Sequence, residues 1–288
     1  LRGMGVGLDL LLNANCYGGR AVSAHLENEV GSLLEHLEQV AGGADVVTTA
    51  SPFVARAVKA HFPRVRTRAS VNMRVGTPAA MEYVADLFDD YCVQRDVQRD
   101  VEYFRRLRAW ADGRGKRLAM LANSGCLRCC PGQTFHDNLV AHEQEADETL
   151  RPDDWQPHTC WRWYRQAAHW PAVLQSTWVR PEDLHHYEGL ADVAKLATRM
   201  HARPRAVVHA YATGRHRGNL LDLLEPGFAP AFAPHVLENA RFPDDWFART
   251  STCLHRCEQC GYCAEVLRRV LVRADGTGDG GPPPGLAV

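Results

Sequence analysis

The chain has 288 residues, 45% of them hydrophobic, ten cysteines and a formal net charge of −1. That length can bury a sizeable core, and single α/β barrels commonly reach it, whereas ten cysteines are too few for a disulfide-dense secreted mini-domain. With a near-zero net charge, any contact with nucleic acid needs a local basic patch, which the totals do not demand.

No apolar run approaches the roughly 20 residues that cross a bilayer. Leu1-Arg2-Gly3-Met4 lacks the charged region followed by a sustained apolar one that marks a signal peptide. The expectation is a cytoplasmic protein with reduced thiols and no membrane partner. The chain opens on Leu1 and enters a strand almost at once, which fits a fragment or a start site assigned too late.

From Leu8 to Gly125 short apolar runs alternate with amphipathic stretches. Leu8 to Ala14 reads as a strand, and Asn28 to Val40 carries Leu33, Leu34 and Leu37 at a helical period. Ala44 to Thr49 is a strand; Ser51-Pro52 then supplies an N-cap and a first-turn proline for a helix to about His61. Val65 to Val71 is a strand, Thr77 to Leu87 a capped helix, Tyr91-Cys92-Val93 a short strand, Gln98 to Ala111 a helix and Lys116 to Ala122 a strand. This β–α alternation argues for a parallel sheet with right-handed crossovers, closed or open. The period breaks at Cys126, and residues 131 to 170 have no clean pattern. It resumes with a strand at Ala172 to Val179, a helix at Pro181 to Tyr187, a strand at Val193 to Ala197 and a helix at Arg203 to Ala212. Beyond Leu224 the Pro/Phe-rich segment to Trp246 looks irregular, and no internal repeat is present.

The strongest chemical signal is Asn123-Ser124-Gly125-Cys126-Leu127-Arg128-Cys129-Cys130, followed by Pro131-Gly132-Gln133-Thr134-Phe135-His136-Asp137-Asn138. Three thiols fall within five residues after an apolar strand, a fourth is Cys160, and the C-terminus carries Cys253, Cys257, Cys260 and Cys263. Soft thiolates grouped this way select zinc or iron–sulfur clusters. The competing account is a set of buried free thiols, since free cysteine is commonly buried as a small hydrophobe; that account is preferred for Cys92. Adjacent cysteines rarely both ligate one metal in a strain-free loop, which makes Cys129 the bystander.

The run Asn123 to Asn138, with Arg180-Pro181-Glu182-Asp183-Leu184 and Lys195-Leu196-Ala197-Thr198-Arg199, resembles the peptidase U32 family, and within it a short, largely uncharacterised branch. The likeness covers roughly Leu8 to Cys263. It implies an α/β fold of the TIM-like (β/α) barrel type, incomplete at its N-terminus if the chain is a fragment, and a [4Fe–4S] cluster. Relatives include oxygen-independent hydroxylases of RNA bases or quinone precursors, and collagenase-like proteases. On that expectation residues 1–224 form the barrel with a Cys-rich insertion at 126–170. Residues 225–272 form a metal-binding segment, and 273–288 a disordered tail. Two departures matter. Ala197-Thr198 replaces the family's Glu-Gly, and only Trp178 and Val179 stand where the family places a cysteine beside the Pro-Lys-Asp-Leu segment.

The expected ligands of the first cluster are Cys126, Cys130 and Cys160, with Cys16, at another strand end, the fourth. Without it the cluster has an open iron. Cys253-x3-Cys257-x2-Cys260 has radical-SAM spacing, but that motif normally opens a barrel. With Cys263 it suits a second [4Fe–4S] cluster, the ferredoxin-like choice, or a zinc site in which His255 could replace a thiolate. The candidate catalytic set is His136, Asp137, Lys195 and Arg199; His136 has a reference pKa suited to proton transfer, although His136 and Asp137 could merely anchor a helix. Arg68, Asn72, Arg74 and Arg180 are candidate substrate-binding residues, because guanidinium forks bind carboxylate or phosphate; structural pairing competes for each arginine. No Gly-x-Ser-x-Gly elbow or His-Glu-x-x-His helix is present. The expected function is iron–sulfur redox chemistry, namely oxygen-independent hydroxylation of a small molecule or RNA base, with an electron donor or partner protein. A U32-type peptidase and a non-catalytic iron–sulfur or zinc scaffold are the alternatives.

Overall fold

A computed structural model describes residues 2–143 and 155–274. The chain divides into two compact units. The first comprises residues 2–94, Leu107–Ala119 and 133–143; the second comprises Arg95–Arg106, Met120–Gly132 and 155–274.

The first half of the chain alternates as the sequence predicts: β1 (Asp9–Leu12), α1 (Ala24–Ala41), β2 (Val46–Thr49), α2 (Pro52–His61), β3 (Arg66–Ala69), α3 (Pro78–Glu82), β4 (Asp90–Cys92), α4 (Val101–Gly113) and β5 (Arg117–Leu121). Each helix start has a local cause. Ser23 Oγ accepts from Leu26 N at 3.1 Å, Ser51 Oγ from Val54 N at 3.2 Å, and Thr77 Oγ1 from Ala80 N at 3.0 Å. These side chains take up amide groups that a helix start leaves without partners. Pro52 and Pro78 then hold the first turn, where no amide is needed. Gly42 ends α1 at φ 69°, a left-handed conformation that costs a side-chain-bearing residue. The helix expected to reach Leu87 stops at Glu82. Beyond it the bonds tighten to three-residue spacing, as in Val84 N to Met81 O, and Tyr91 Oη donates to the Met81 carbonyl.

β1 to β4 pair in sequence order, all parallel, with Asp9 opposite Val46, Val46 opposite Arg66 and Arg68 opposite Asp90; β5 continues the order, Asp90 lying opposite Arg117. The sheet has six strands, β1-β2-β3-β4-β5-β6, with β6 at Val193–Lys195. Monotonic order without a reversal is the winding of a (β/α) sheet and not of a doubly wound one.

The two faces of the first unit's sheet differ sharply. Leu10, Leu12 and Val47 pack with Leu26, Val30 and Leu34 of α1 and with Val54 and Val58 of α2. The opposite face is ionic. Arg68 reaches Asp9 at 2.5 Å and Asp90 at 3.0 Å, Arg66 also pairs with Asp90, and Thr48 Oγ1 donates to Asp9 at 2.8 Å. Asp90 is 1% exposed. Strand alternation generates both faces at once, because successive side chains point to opposite sides.

α5 (Gln133–Ala141) completes the described part of the first unit. The second unit holds α6 (Thr159–Tyr164), α7 (Ala172–Gln175), β6, α8 (Pro204–Thr213), α9 (Ala229–Phe232), β7 (His235–Leu237), α10 (Trp246–Ser251), α11 (Tyr262–Val270) and β8 (Leu271–Arg273). The strand expected at Ala172 to Val179 is absent. Its first residues form α7, and Trp178 Nε1 bonds back to the Val173 carbonyl at 2.8 Å, which folds the segment on itself. Pro181–Tyr187 is helical, as expected, but of the tighter three-residue type. The stretch expected to be irregular contains β7, which pairs antiparallel with β8 through Leu237 opposite Leu271. The core here is aromatic: Tyr164, Trp170, Trp178, Phe228, Phe232 and Trp246 are all buried. Most of the expected tail, 275–288, lies outside the described residues. Among the described residues no helix is long and apolar enough to cross a membrane.

Asp90 is the acid on which two arginines converge. Asp90→Ala is expected to lower unfolding free energy by about 3 kcal/mol, the cost of leaving a buried cation without its partner. Urea denaturation checks it. A loss within experimental error would show that Asp9 alone satisfies Arg68.

Candidate functional site

The cysteine loop grows from the end of β5 and is fixed by one amide. Asn123 is fully buried; its Nδ2 donates to Ala197 O at 2.7 Å and Leu223 O at 2.9 Å, and its Oδ1 accepts from Ala197 N at 2.7 Å. Gly125 follows because nothing larger fits: a Cβ there would lie 2.5 Å from the Pro226 carbonyl. Cys126 Sγ accepts from Arg95 Nη1 at 3.1 Å, and Arg95 also reaches Ser124 Oγ at 3.4 Å. Cys129 adopts φ 51°, with its amide donating to Asp96 Oδ1 at 2.7 Å, and its side chain is exposed.

The loop then returns to α6. A Cβ on Gly132 would collide with Thr159 Oγ1 and would lie 3.8 Å from Cys130 Sγ. Thr159 precedes Cys160, which is buried. Burial pushes the Cys160 thiol up to about 12, and the neighbouring Cys126 and Cys130 add to the shift. Three thiols separated by up to 34 residues of chain therefore share one electrostatic neighbourhood. Cys16 belongs to the first unit, on the turn after β1, where its Sγ accepts from Gly18 N at 3.3 Å.

The C-terminal cysteines occupy a loop anchored at both ends. α10 buries Trp246 and Thr250 before it, and α11 buries Val266, Leu267 and Val270 after it. Cys253 Sγ accepts from His255 N at 3.3 Å, with His255 at φ 57°. Burial raises the Cys257 thiol, with Cys253 and Cys260 contributing. Cys263 is pushed up to about 12, chiefly by burial; Arg99 opposes that shift, and Cys257, Cys253 and Cys260 add to it. His255 Nε2 is buried without a partner, and burial, then Arg128 and Arg99, holds its imidazole down at about 4. A neutral imidazole with a vacant nitrogen is a donor suited to a metal.

The donor chemistry of both groups fits a thiophilic metal. Among the described residues, however, no three or more His, Cys, Asp or Glu side chains close into a metal cage.

The other expected site residues are distributed as follows. In the first unit Asp137 Oδ2 accepts from Asn15 Nδ2 at 3.1 Å and faces Arg74 Nη2 at 3.5 Å. Arg74 also donates to Thr134 Oγ1 at 3.0 Å, and Asn72 Nδ2 to Asn13 O at 3.3 Å. Asn15 Oδ1 is buried with no partner, which leaves an acceptor beside this cluster. His136 is half-buried on α5, next to Asp137. Arg68 is committed to the ionic face of the sheet. In the second unit Lys195 is half-buried in β6 and Arg199 is exposed. Arg180 lies 3.4 Å from Asp183 and 3.6 Å from Glu182, with its guanidinium 4.9 Å from the Phe242 ring centre. The structure thus joins Arg74 to Asp137 and binds Arg68 and Arg180 to carboxylates. Sequence reasoning missed Asn15 as the partner of Asp137, and Arg99 carries no sequence signal beyond its charge.

No family model matches the chain. Over 272 residues, 92% of this chain and 77% of its relative, it is 25% identical to an uncharacterised protease of Methanocaldococcus jannaschii. Among solved structures, that of the U32 peptidase Mk0906 aligns with 54% of this chain at 21% identity and a TM-score of 0.45. The aligned part spans 62% of the Mk0906 chain, less than two thirds of it.

The buried thiols set a pH dependence. A thiol whose folded pKa is raised from 9 to about 12 contributes stability present below pH 9 and lost as pH rises toward 12. Metal-free protein is therefore expected to lose melting temperature progressively above pH 9, and Cys160→Ala to flatten that decline. Parallel pH profiles for the two proteins would contradict the burial of Cys160 as the cause.

Proposed function

We propose that this chain is a metal-dependent redox enzyme of the U32 type, with a [4Fe–4S] cluster on Cys126, Cys130 and Cys160 and a second thiolate metal site on Cys253, Cys257, Cys260 and Cys263. The observation that carries the reading is the return of the Gly132 turn onto Thr159, which brings the cysteine loop to Cys160. A reducing, cytoplasmic setting, in which thiols stay available to a metal, is part of the same proposal. The six-stranded sheet in sequence order, with an ionic face opposite its helix-covered one, supports an incomplete TIM-like barrel. Cys16 is the proposed fourth ligand of the first cluster.

A bound cluster supplies electron transfer, or a Lewis-acidic iron if one position stays open. The chain's own residues do the rest. Arg95 donates to Cys126 Sγ and stabilises negative charge there. Arg74, held by Asp137 and Thr134, presents a fork suited to a carboxylate or phosphate. His136 and Asp137 are the proposed proton-handling pair, and Lys195 and Arg199 supply further cations. The reaction class favoured is oxygen-independent hydroxylation of a small molecule; with a net charge of −1, an RNA base is the second choice of substrate. The name of the archaeal relative favours a peptidase as the second reading.

Anaerobic reconstitution is expected to load about eight iron atoms per chain if both sites hold four-iron clusters. Cys253→Ala with Cys257→Ala is expected to halve the iron and leave the first cluster's absorption, whereas Cys126→Ala with Cys160→Ala removes the first. Colourless zinc-loaded protein that cleaves casein would overturn the redox reading in favour of the peptidase. Unchanged iron in the C-terminal double variant would leave that site to zinc or to no metal.

A further inference from the structure

Between Asp192 and Asp222 the chain has no acid and carries Lys195, Arg199, Arg203, Arg205, Arg215 and Arg217. The whole chain holds 33 basic and 34 acidic residues, so this segment is a local excess of cations. Its arginines are all exposed. Elsewhere exposed arginines are answered by acids, as Arg2 by Asp45, Arg20 by Glu29, Arg105 by Glu102 and Arg114 by Glu82. Among the described residues the arginines of this segment have no such partner. The bordering acids are already engaged. Glu182 Oε1 accepts from His216 N at 2.7 Å and Asn239 Nδ2 at 2.8 Å, and Asp222 Oδ1 from Asn219 Nδ2 at 3.4 Å.

α8, in the second unit, carries the stripe. Its buried face is Val207, Ala210 and Tyr211, and its exposed face includes Arg205 and, one turn on, His209. Arg203 stands just before the helix, and Arg215 and Arg217 follow its end at Gly214. The helix has 10 residues and so spans about 15 Å, with cations at both ends, a length that no single carboxylate or phosphate covers. Stability does not explain these cations. Arg203 is the N-cap and makes no capping bond, and Arg205 lies in the first turn, both at the positive end of the helix dipole. In α1, α2 and α3 the same place is held by a capping serine or threonine.

The residue types select the partner. A guanidinium fork matches a phosphate. Single-stranded nucleic acid is held largely by stacking on aromatic rings, and Tyr211, the one Phe, Trp or Tyr of the segment, is buried. A protein interface needs an apolar centre, and Met200 and Val208 alone among the segment's large apolar residues are exposed. We infer that the arginine stripe along α8 is a docking surface for duplex nucleic acid, gripping its phosphodiester backbone without reading bases or sugars. Phosphate contacts position a duplex and carry no sequence information. The inference does not depend on the metal sites.

The test uses the full chain and the fluorescence anisotropy of labelled, mixed-sequence DNA and RNA duplexes of about 20 base pairs over a range of salt concentrations. If each exposed arginine meets one phosphate, the logarithm of affinity is expected to fall against that of salt with a slope of about −4 to −5. Arg203→Ala with Arg205→Ala is expected to lower that slope by about two, roughly one for each lost contact. Arg215→Ala with Arg217→Ala is expected to do the same from the other end of the helix. Arg20→Ala with Arg56→Ala, on the first unit, removes the same charge elsewhere and is expected to leave the slope unchanged. Equal affinity for the DNA and RNA duplexes supports a grip on the backbone alone, and a strong preference for either would overturn it. Absence of binding at low salt, unchanged slopes in both stripe variants, or an equal loss in the first-unit variant would also overturn the inference. So would displacement of the duplex by poly-L-glutamate at equal charge concentration, which would assign the stripe to an acidic protein instead.

Discussion

The carboxamide of Asn123 spends its hydrogen bonds on the backbone of two distant segments, at Ala197 and Leu223. The backbone carbonyl of Asn123 accepts from Glu225 N, and Gly125 N returns a bond to Glu225 O. A fully buried amide with both ends satisfied is rigid and expensive to disturb, since losing a partner strands a polar group away from water. The end of β5 is therefore locked just before the chain must turn, and Cys126 emerges from a fixed point. The rest of the second unit's chemistry inherits that geometry. Arg95 meets Cys126, Asp96 holds the Cys129 amide, and the Gly132 turn reaches Thr159.

Much of the fold was legible because its rules are local. Ser51-Pro52 and Thr77-Pro78 announce helix starts through capping and a fixed φ, and both begin helices where expected. The early β–α alternation gave the parallel order, which follows from short connections and right-handed crossovers. Ala172 to Val179 failed because an apolar run says what is buried and not how it is bent; Trp178 folds the segment back through a bond invisible in sequence. β7 and β8 were missed for a related reason, since two three-residue strands define each other only by pairing.

The cysteine groups were legible in a different way. Spacing showed which thiols could cooperate, as in Cys253 to Cys263, and it singled out Cys160. It could not show what surrounds them. Arg68 looked like a substrate ligand in sequence, yet register sets it opposite Asp90 and between two carboxylates. Arg99 looked like one arginine among many, and only burial distinguishes it. Both cases turn on the same physics. A cation at a surface costs little, whereas one inside the protein must find an anion. In the first unit that anion is an aspartate. In the second, Arg99 is held by two backbone carbonyls and two indole rings, with the Asp183 carboxylate within its electrostatic reach.

X-ray absorption at the iron and zinc edges of anaerobically purified, full-length protein tests the central claim most directly. The account predicts metal whose nearest neighbours are sulfur, at about 2.3 Å for zinc, with a short iron–iron distance where a cluster is present. Protein that carries neither metal after anaerobic purification and reconstitution, or metal bound only through oxygen and nitrogen, would contradict it.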